Sequence, residues 1–401
     1  MTPLPPALRN PLLWDKILTG GLLLYSLCIF LPGVTALERL GLVTALLISC
    51  TGGRWKACLA HLRHPAMLLT ITLLGWFTLS ATWSVAPDIT LTSVQGVFKD
   101  YLLILPPLFF MLADPDRRRW FARGLALAGL VIVLVNSAQY VREWLQDPAL
   151  LNNIKLHRGW GHPLVLFFPF ALLQGRLARG KPMYLWYGLA VIEAMMIMAT
   201  GARGAWLALA MVLVVWLGHD FDRRRLLALS GAGLALVVLA YFMLPAPLFK
   251  DRFADGLSTS LRTSGTWGPA LQMLDERPVL GFGFGKPIFD QEFNRRAPTE
   301  ADWSIKKSKG PHSIYLEAGF SGGYPALGLI TALFLVIFVA GIRAAARGRQ
   351  PEPERLLALA CLAAFAGFYI TRGSVESVQW SALPLLLAPL VFLSPPRQRR
   401  P

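Results

Sequence analysis

Apolar runs close to 20 residues long recur along nearly all of this 401-residue chain, and that repetition constrains its fold more than any other feature. A run of about 20 apolar residues, wound as a helix, crosses the hydrocarbon core of a bilayer. Within lipid every backbone polar group needs an internal partner, which leaves helices or closed barrels. Continuous runs of this length read as helices. We therefore expect an all-α polytopic membrane protein with about twelve transmembrane helices of the usual length of about 20 residues. Their centres fall near residues 25, 44, 75, 104, 130, 169, 191, 210, 235, 333, 363 and 384, the second and sixth being short. Composition agrees: 55% of residues are hydrophobic and only 15% charged, against about 25% charged in soluble domains. The first run, residues 17–34, lacks a small-residue cleavage site and is expected to be a retained helix.

The basic residues set the orientation. Alternate loops collect Arg54, Lys56 and Arg63; Arg117, Arg118, Arg119 and Arg123; Arg176, Arg179 and Lys181; Arg223, Arg224 and Arg225; and Arg343, Arg347, Arg349 and Arg355. The tail adds Arg397, Arg399 and Arg400, and the short loops in between are nearly bare. By the positive-inside rule both termini are cytoplasmic. The net charge of +16 is thereby accounted for without a nucleic-acid partner. Three segments follow: residues 1–245 with spans one to nine, a periplasmic loop at 246–312, and residues 313–401 with spans ten to twelve and a cytoplasmic tail. The outer loop holds about ten Lys and Arg, which long loops tolerate without inverting the topology. It also contains an amphipathic stretch (Trp267, Ala270, Leu271, Leu274) and a glycine-rich turn at Gly281, Gly283 and Gly285. A folded cap with short amphipathic helices on the outer surface is expected.

Charges at the rim of membrane helices are costly and mark function by default. Arg203 in "TGARGAW", Arg262 five residues before Trp267, His312 at the start of span ten and Lys99 in "VFKDYLL" all thread to the outer side. Arginine's planar fork pairs with phosphate oxygens through parallel charge-assisted bonds, so two arginines suit a diphosphate. An imidazole titrates near neutrality and suits removal of a proton from a hydroxyl. Together they point to group transfer from a diphosphate-linked donor, with Lys99 a weaker donor ligand. Arg158 and His162 in "HRGWGHP" face the same side and are candidates for a substrate entrance. Glu317 receives no role.

No metal or cofactor is expected. The histidines form no H-E-x-x-H motif, and His61 and His64 lie in a cytoplasmic loop without acidic neighbours. The triplets Asp114-Pro115-Asp116 and Asp220-Phe221-Asp222 precede arginine runs on the cytoplasmic side and read as solvated loop charges. Cys28, Cys50, Cys58 and Cys361 lie in or beside apolar runs, where they pack as small apolar residues.

"TGARGAW", then "LRTSGTWGPALQMLDERPVLGFGFG", then "GPHSIYLEAGFSGGYPALGL" resembles the O-antigen ligase and polymerase superfamily over about residues 195–345. The resemblance implies a GT-C-like, metal-independent glycosyltransferase of the bacterial inner membrane with a periplasmic active site. Its donor would be a glycan on undecaprenyl diphosphate. Arg203 and Arg262 would hold the diphosphate, and His312 would be the general base for an inverting attack by an acceptor sugar hydroxyl. Lys306, Lys307 and Lys309 would attract an anionic acceptor such as a phosphorylated lipid A–core. An O-antigen polymerase and a protein O-oligosaccharyltransferase share this chemistry. The length of the chain argues against the latter, and the basic outer loop favours the ligase. A lipid-diphosphate transporter is the alternative of another class, although no inverted repeat is evident.

Overall fold

The computed structural model describes residues 11–31, 33–51, 53–147, 158–219, 262–346 and 350–394. The span expected near residue 235, the first part of the outer loop, the second aspartate triplet and the basic tail lie outside them. All regular structure among the described residues is helical. Five helices are long and apolar enough to cross a membrane: Pro65–Thr82, Pro115–Gln146, Lys181–Ala199, Ile314–Ala345 and Glu352–Arg372. Arg203–Gly218 and Trp380–Leu393 are shorter apolar helices.

In chain order, α1 (Pro11–Cys28) and α2 (Thr35–Ser49) pack as a hairpin, and α3 (Lys56–Leu59) is a single turn. Next come α4 (Pro65–Leu79), α5 (Pro87–Leu102) and α6 (Leu105–Leu112). The span expected around residue 104 is thus two helices. Pro106 and Pro107 occupy the first turn of α6, where proline is tolerated, and they cannot continue the helix before them. α7 (Pro115–Gln146), α8 (Arg158–Leu177), α9 (Lys181–Ala199) and α10 (Arg203–His219) follow. α8 was expected to be short, yet it runs for 20 residues through Pro163 and Pro169.

The charges of the basic loops are used at one end of this bundle. Asp15 of α1 accepts from Arg54 at 2.8 Å and from Arg117 of α7 at 3.4 Å. Asp114 is the N-cap of α7, its carboxylate accepting from the backbone N–H groups of Asp116 and Arg117 at 3.0 Å. Both aspartates are exposed, as expected of solvated charges, and Asp114 in addition caps the helix.

After the undescribed stretch, a π-helical turn at Thr263–Trp267 leads into α11 (Gly268–Glu276), and α12 (Lys286–Arg296) follows the glycine-rich turn. Ala270, Met273, Phe282, Phe289, Phe293, Trp303 and Phe320 bury one another in an apolar cluster of their own. On α11 the buried face is Ala270, Met273 and Leu274. Leu271, expected on that face, is exposed, because it sits one residue, or about 100°, around the helix from Ala270.

α13 (Ile314–Ala345) has 32 residues, which is longer than a bilayer core requires. It is broken at Gly322 and Gly323, where the backbone leaves helical geometry. The carbonyls freed by the break are taken up elsewhere. Phe282 N–H donates to Phe320 O at 2.9 Å, Gly283 N–H to Ser321 O at 3.0 Å, and Trp76 Nε1 to Gly322 O at 2.8 Å. Tyr324 N–H returns a bond to Pro278 O at 2.6 Å. The glycine-rich segment thus lies in the break like a short strand. α14 (Glu352–Phe365) continues as a π-helix to Arg372, and α15 (Leu383–Leu393) closes the chain.

Gly323 has φ +69, and a Cβ there would lie 2.4 Å from the Val279 backbone. Gly323→Ala therefore costs more than the ~1–2 kcal/mol of a left-handed side chain alone. Gly328→Ala is the control, because nothing lies within 4 Å of its Cβ position. In thermal unfolding of the detergent-solubilised chain, we expect Gly323→Ala to lower the midpoint and Gly328→Ala to leave it unchanged or raise it.

Candidate functional site

His312 sits between Pro311 and the N-cap of α13, Ser313, whose hydroxyl accepts from Leu316 N–H. The backbone at His312 is left-handed, with φ +48, the one such non-glycine residue among those described. Left-handed backbone at a bulky residue is uncommon, and it persists where surrounding contacts hold it. Three contacts do so here. Trp267 Nε1 donates to His312 O at 3.4 Å. Ile314 N–H donates to Gly373 O at 2.8 Å. His312 Nδ1 meets Glu376 Oε2 at 2.9 Å.

The last contact decides what the imidazole can do. A carboxylate accepts, so Nδ1 carries the proton, and Nε2 keeps its lone pair when the ring is neutral. The ring is one-third exposed, so Nε2 remains reachable. This is the orientation a carboxylate imposes on a general-base histidine.

Glu376 is itself held in place. Arg372 is 5% exposed. Its Nη2 donates to His162 Nδ1 at 2.7 Å and to Ser377 O at 3.2 Å. Glu376 N–H donates to Arg372 O at 2.8 Å. Burial pushes the Glu376 carboxyl up, but the hydrogen bond and charge of His312, with the charges of His162 and Arg372, outweigh it. Its pKa falls below the usual carboxylate value, and it stays ionised.

The glycine of "TGARGAW" is explained by the same cluster. A Cβ on Gly204 would lie 3.3 Å from Glu376 Cγ and 3.2 Å from Val375 Cγ2. The start of α10, and with it Arg203 as its first residue, abuts the 372–376 turn. Arg262 reaches the cluster from the other side, its guanidinium lying 5.4 Å from the centroid of the Trp267 ring. The structure thus brings His312, Arg262, the Arg203 helix start and His162 to one end of the bundle.

Lys99 is placed differently. It is exposed in the last turn of α5, whose first turn lies beside the glycine-rich segment. Twelve residues of helix separate Lys99 from Pro87, about 18 Å along the axis, and no recorded contact links it to His312. Arg158 opens α8 one turn before His162, and its side chain is outside the described set. Lys306 is tied to Glu300 O at 2.7 Å, while Lys307 and Lys309 are exposed.

Arg372 and Glu376 are the residues that sequence reasoning missed. Their signal was present: "TRGSVE" places two opposite charges in a short loop that the threading assigns to the side otherwise nearly bare of charge. Read alone, Arg372 passes for a helix-end anchor.

The His312–Glu376 bond gives a prediction that needs no assay of activity. A hydrogen bond to a charged group contributes about 1.5–3 kcal/mol, so Glu376→Gln lowers stability by about that much at neutral pH. The folded pKa of Glu376 is depressed. Its contribution is therefore fully present above the ordinary value of about 4.3 and is lost as pH falls through the depressed one. The gap in melting temperature between parent and variant is expected to hold from pH 7 to pH 5 and to close under stronger acid.

Comparison with known proteins gives the site a family. Residues 188–331 match the model of the family described as O-Antigen ligase. This window contains Arg203, Arg262 and His312 and ends before Arg372 and Glu376. The chain is 33% identical over 246 residues to an O-antigen ligase of Salmonella typhimurium, covering 59% of each chain. It is 23% identical over 286 residues to an O-antigen ligase of Pseudomonas aeruginosa, covering 68% of this chain and 64% of the relative. The matched regions thus span 59% and 64% of those two relatives. Segment 188–331, which carries Arg203, Arg262 and His312, is thus similar to the O-antigen ligase family.

Proposed function

We propose that this protein is an O-antigen ligase of the bacterial inner membrane. It transfers O-antigen polysaccharide from undecaprenyl diphosphate to a sugar hydroxyl of lipid A–core. The observation that carries this reading is the His312–Glu376 pair, at 2.9 Å, placed at the same end of the bundle as Arg203 and Arg262. The active side is the periplasm, with residues 246–312 as the catalytic loop, and the architecture is GT-C-like. The similarity to two O-antigen ligases supports the choice of donor and acceptor class.

The acceptor hydroxyl docks against His312 Nε2 and gives up its proton as its oxygen attacks the anomeric carbon. The bond from that carbon to the diphosphate breaks on the opposite face, so the configuration inverts. Glu376 stabilises the imidazolium that forms. Arg203 and Arg262 hold the diphosphate, and their bonds strengthen as its charge develops, where fixed donors lower a barrier most. In this reading the arginines neutralise the leaving group without a metal ion. His162 and Arg372 hold Glu376, with Arg158 at the entrance one turn away. Lys99, three turns along α5, is the weakest of the proposed donor ligands.

The test is glycan transfer in vitro from undecaprenyl-diphosphate-linked donor to purified lipid A–core. The left-handed backbone at residue 312 makes His312→Asn a better probe than His312→Ala, because Asn tolerates that conformation. We expect His312→Asn to lose about 10²–10⁴-fold in turnover, the range of general-base catalysis, while donor binding persists. Undiminished transfer by that variant would rule out the general base. Deleting the gene separates ligase from polymerase on a lipopolysaccharide gel. Loss of every O-antigen band with core retained supports the ligase, whereas a surviving band of core plus one repeat identifies a polymerase.

A further inference from the structure

A second charged site lies at the opposite end of the bundle. A cavity of about 620 Å³ opens where the first turns of α7, α9 and α14 meet the last turn of α8. Arg118, Arg119, Arg123, Gln174, Trp186 and Glu354 line it. From His162 to Gln174 is 12 residues of α8, and from Glu354 to Arg372 is 18 residues of helix. Those stretches put the cavity about 18–27 Å from the His312 cluster along the helix axes, on the scale of a bilayer core of about 30 Å.

Its charge is not internally balanced. Arg118 donates to Leu112 O at 2.9 Å and to Glu354 at 3.1 Å, and so serves the fold. Arg119 pairs only with Asp116, at 3.0 Å, and both side chains are more than half exposed. Arg123 rests on the Trp120 ring and has no carboxylate partner among the described residues. Three arginines therefore face a single lining carboxylate. The positive ends of three helix dipoles point to the same place.

Buried polar atoms around the cavity are also unsatisfied. Gln174 is 6% exposed and lines the cavity, and its side-chain amide has no hydrogen-bond partner among the described residues. The Arg118 Nε and one Glu354 oxygen are buried without partners as well. Buried polar groups without partners are rare in a finished structure and imply a missing ligand or water. The Gln174 amide and the arginines call for an acceptor and the Glu354 oxygen calls for a donor, which together describe a phosphate whose headgroup also carries a hydroxyl or ammonium donor.

The surroundings say what carries that phosphate. Trp186 lines the cavity, and Tyr184 and Leu185 beside it are exposed. Val191, Ile192 and Met195 continue an exposed apolar face along α9. A phosphate seated among the arginines would leave acyl chains lying on that face. Basic pockets between membrane helices are suited to such headgroups. We infer that the cavity between α7, α8, α9 and α14 binds the headgroup phosphate of an anionic phospholipid.

The experiment uses the full chain, purified and delipidated in detergent, and titrates phosphatidylglycerol, phosphatidylcholine or inorganic phosphate. Thermal unfolding and native mass spectrometry are the readouts. Phosphatidylglycerol is expected to raise the midpoint saturably and to remain bound in the gas phase, with no effect of the other two. Arg119→Gln/Arg123→Gln removes the two least engaged cations and should weaken that binding about 30-fold, at roughly fivefold per cation. Gln174→Leu, which leaves both cations in place, should weaken it too. Equal protection by inorganic phosphate would make the ligand a soluble phosphate and overturn the lipid assignment. Equal protection by phosphatidylcholine, or parental affinity in the double arginine variant, would overturn the site. Should the delipidated arginine variant melt early, Gln174→Leu decides, and parental affinity there overturns the site as well.

Discussion

A helix in a bilayer cannot break without finding partners for the carbonyls it releases. Lipid offers none, and each unsatisfied group costs several kcal/mol. α13 breaks at Gly322 and Gly323 and meets this requirement with the backbone of residues 278–283 and the indole of Trp76. Much of the site depends on that arrangement. The glycine-rich segment lies flat in the break, which fixes α11 on one side and α12 on the other. The outer portion of α13, with His312 just ahead of it, is thereby separated from the long inner portion that runs beside α14.

The second dependence is electrostatic. His312 bonds Glu376 and Arg372 bonds His162, and the backbone N–H of Glu376 donates to Arg372 O, so residues from three separate parts of the chain meet here. Arg372 and His162 hold Glu376 ionised, and Glu376 determines which nitrogen of His312 carries the proton. The chemistry assigned to His312 thus rests on residues well away from the hydroxyl it would activate. Gly204 completes the fit by leaving room for Glu376 beside the start of α10.

The helical, membrane-spanning character was legible from the lengths of the apolar runs, because the bilayer imposes them from outside. The alternation of basic loops threads the candidate residues to one side of the bilayer, and the structure places Arg203, Arg262 and His312 at one end of the bundle. His312, Arg203 and Arg262 stood out as candidates because costly residues lay at helix rims in a recognisable order. Other features were not legible, for definite reasons. The two-helix span at residue 104 follows from prolines inside an apolar run, where hydropathy is blind. The capping role of Asp114 was not legible because a cap and a loop charge share one composition. Glu376 was missed because its partner lies 64 residues away, a pairing that no local pattern encodes. Lys99 was expected near the outer end of a span centred at residue 104, whereas in the structure it lies in the last turn of a helix that starts at Pro87.

The splice between the glycine-rich segment and α13 also defines what can be exchanged between relatives. Four bonds join residues 278–283 and Trp76 to the break, and two stacked phenylalanines, Phe282 and Phe320, lie across the junction. A graft of the loop alone would present foreign backbone to carbonyls shaped for another. The transplantable module runs from residue 262 through the end of α13, with the turn at residues 80–86 as its socket. Whatever residues 262–313 contribute to the site is therefore exchanged together with a membrane helix and not as a surface loop.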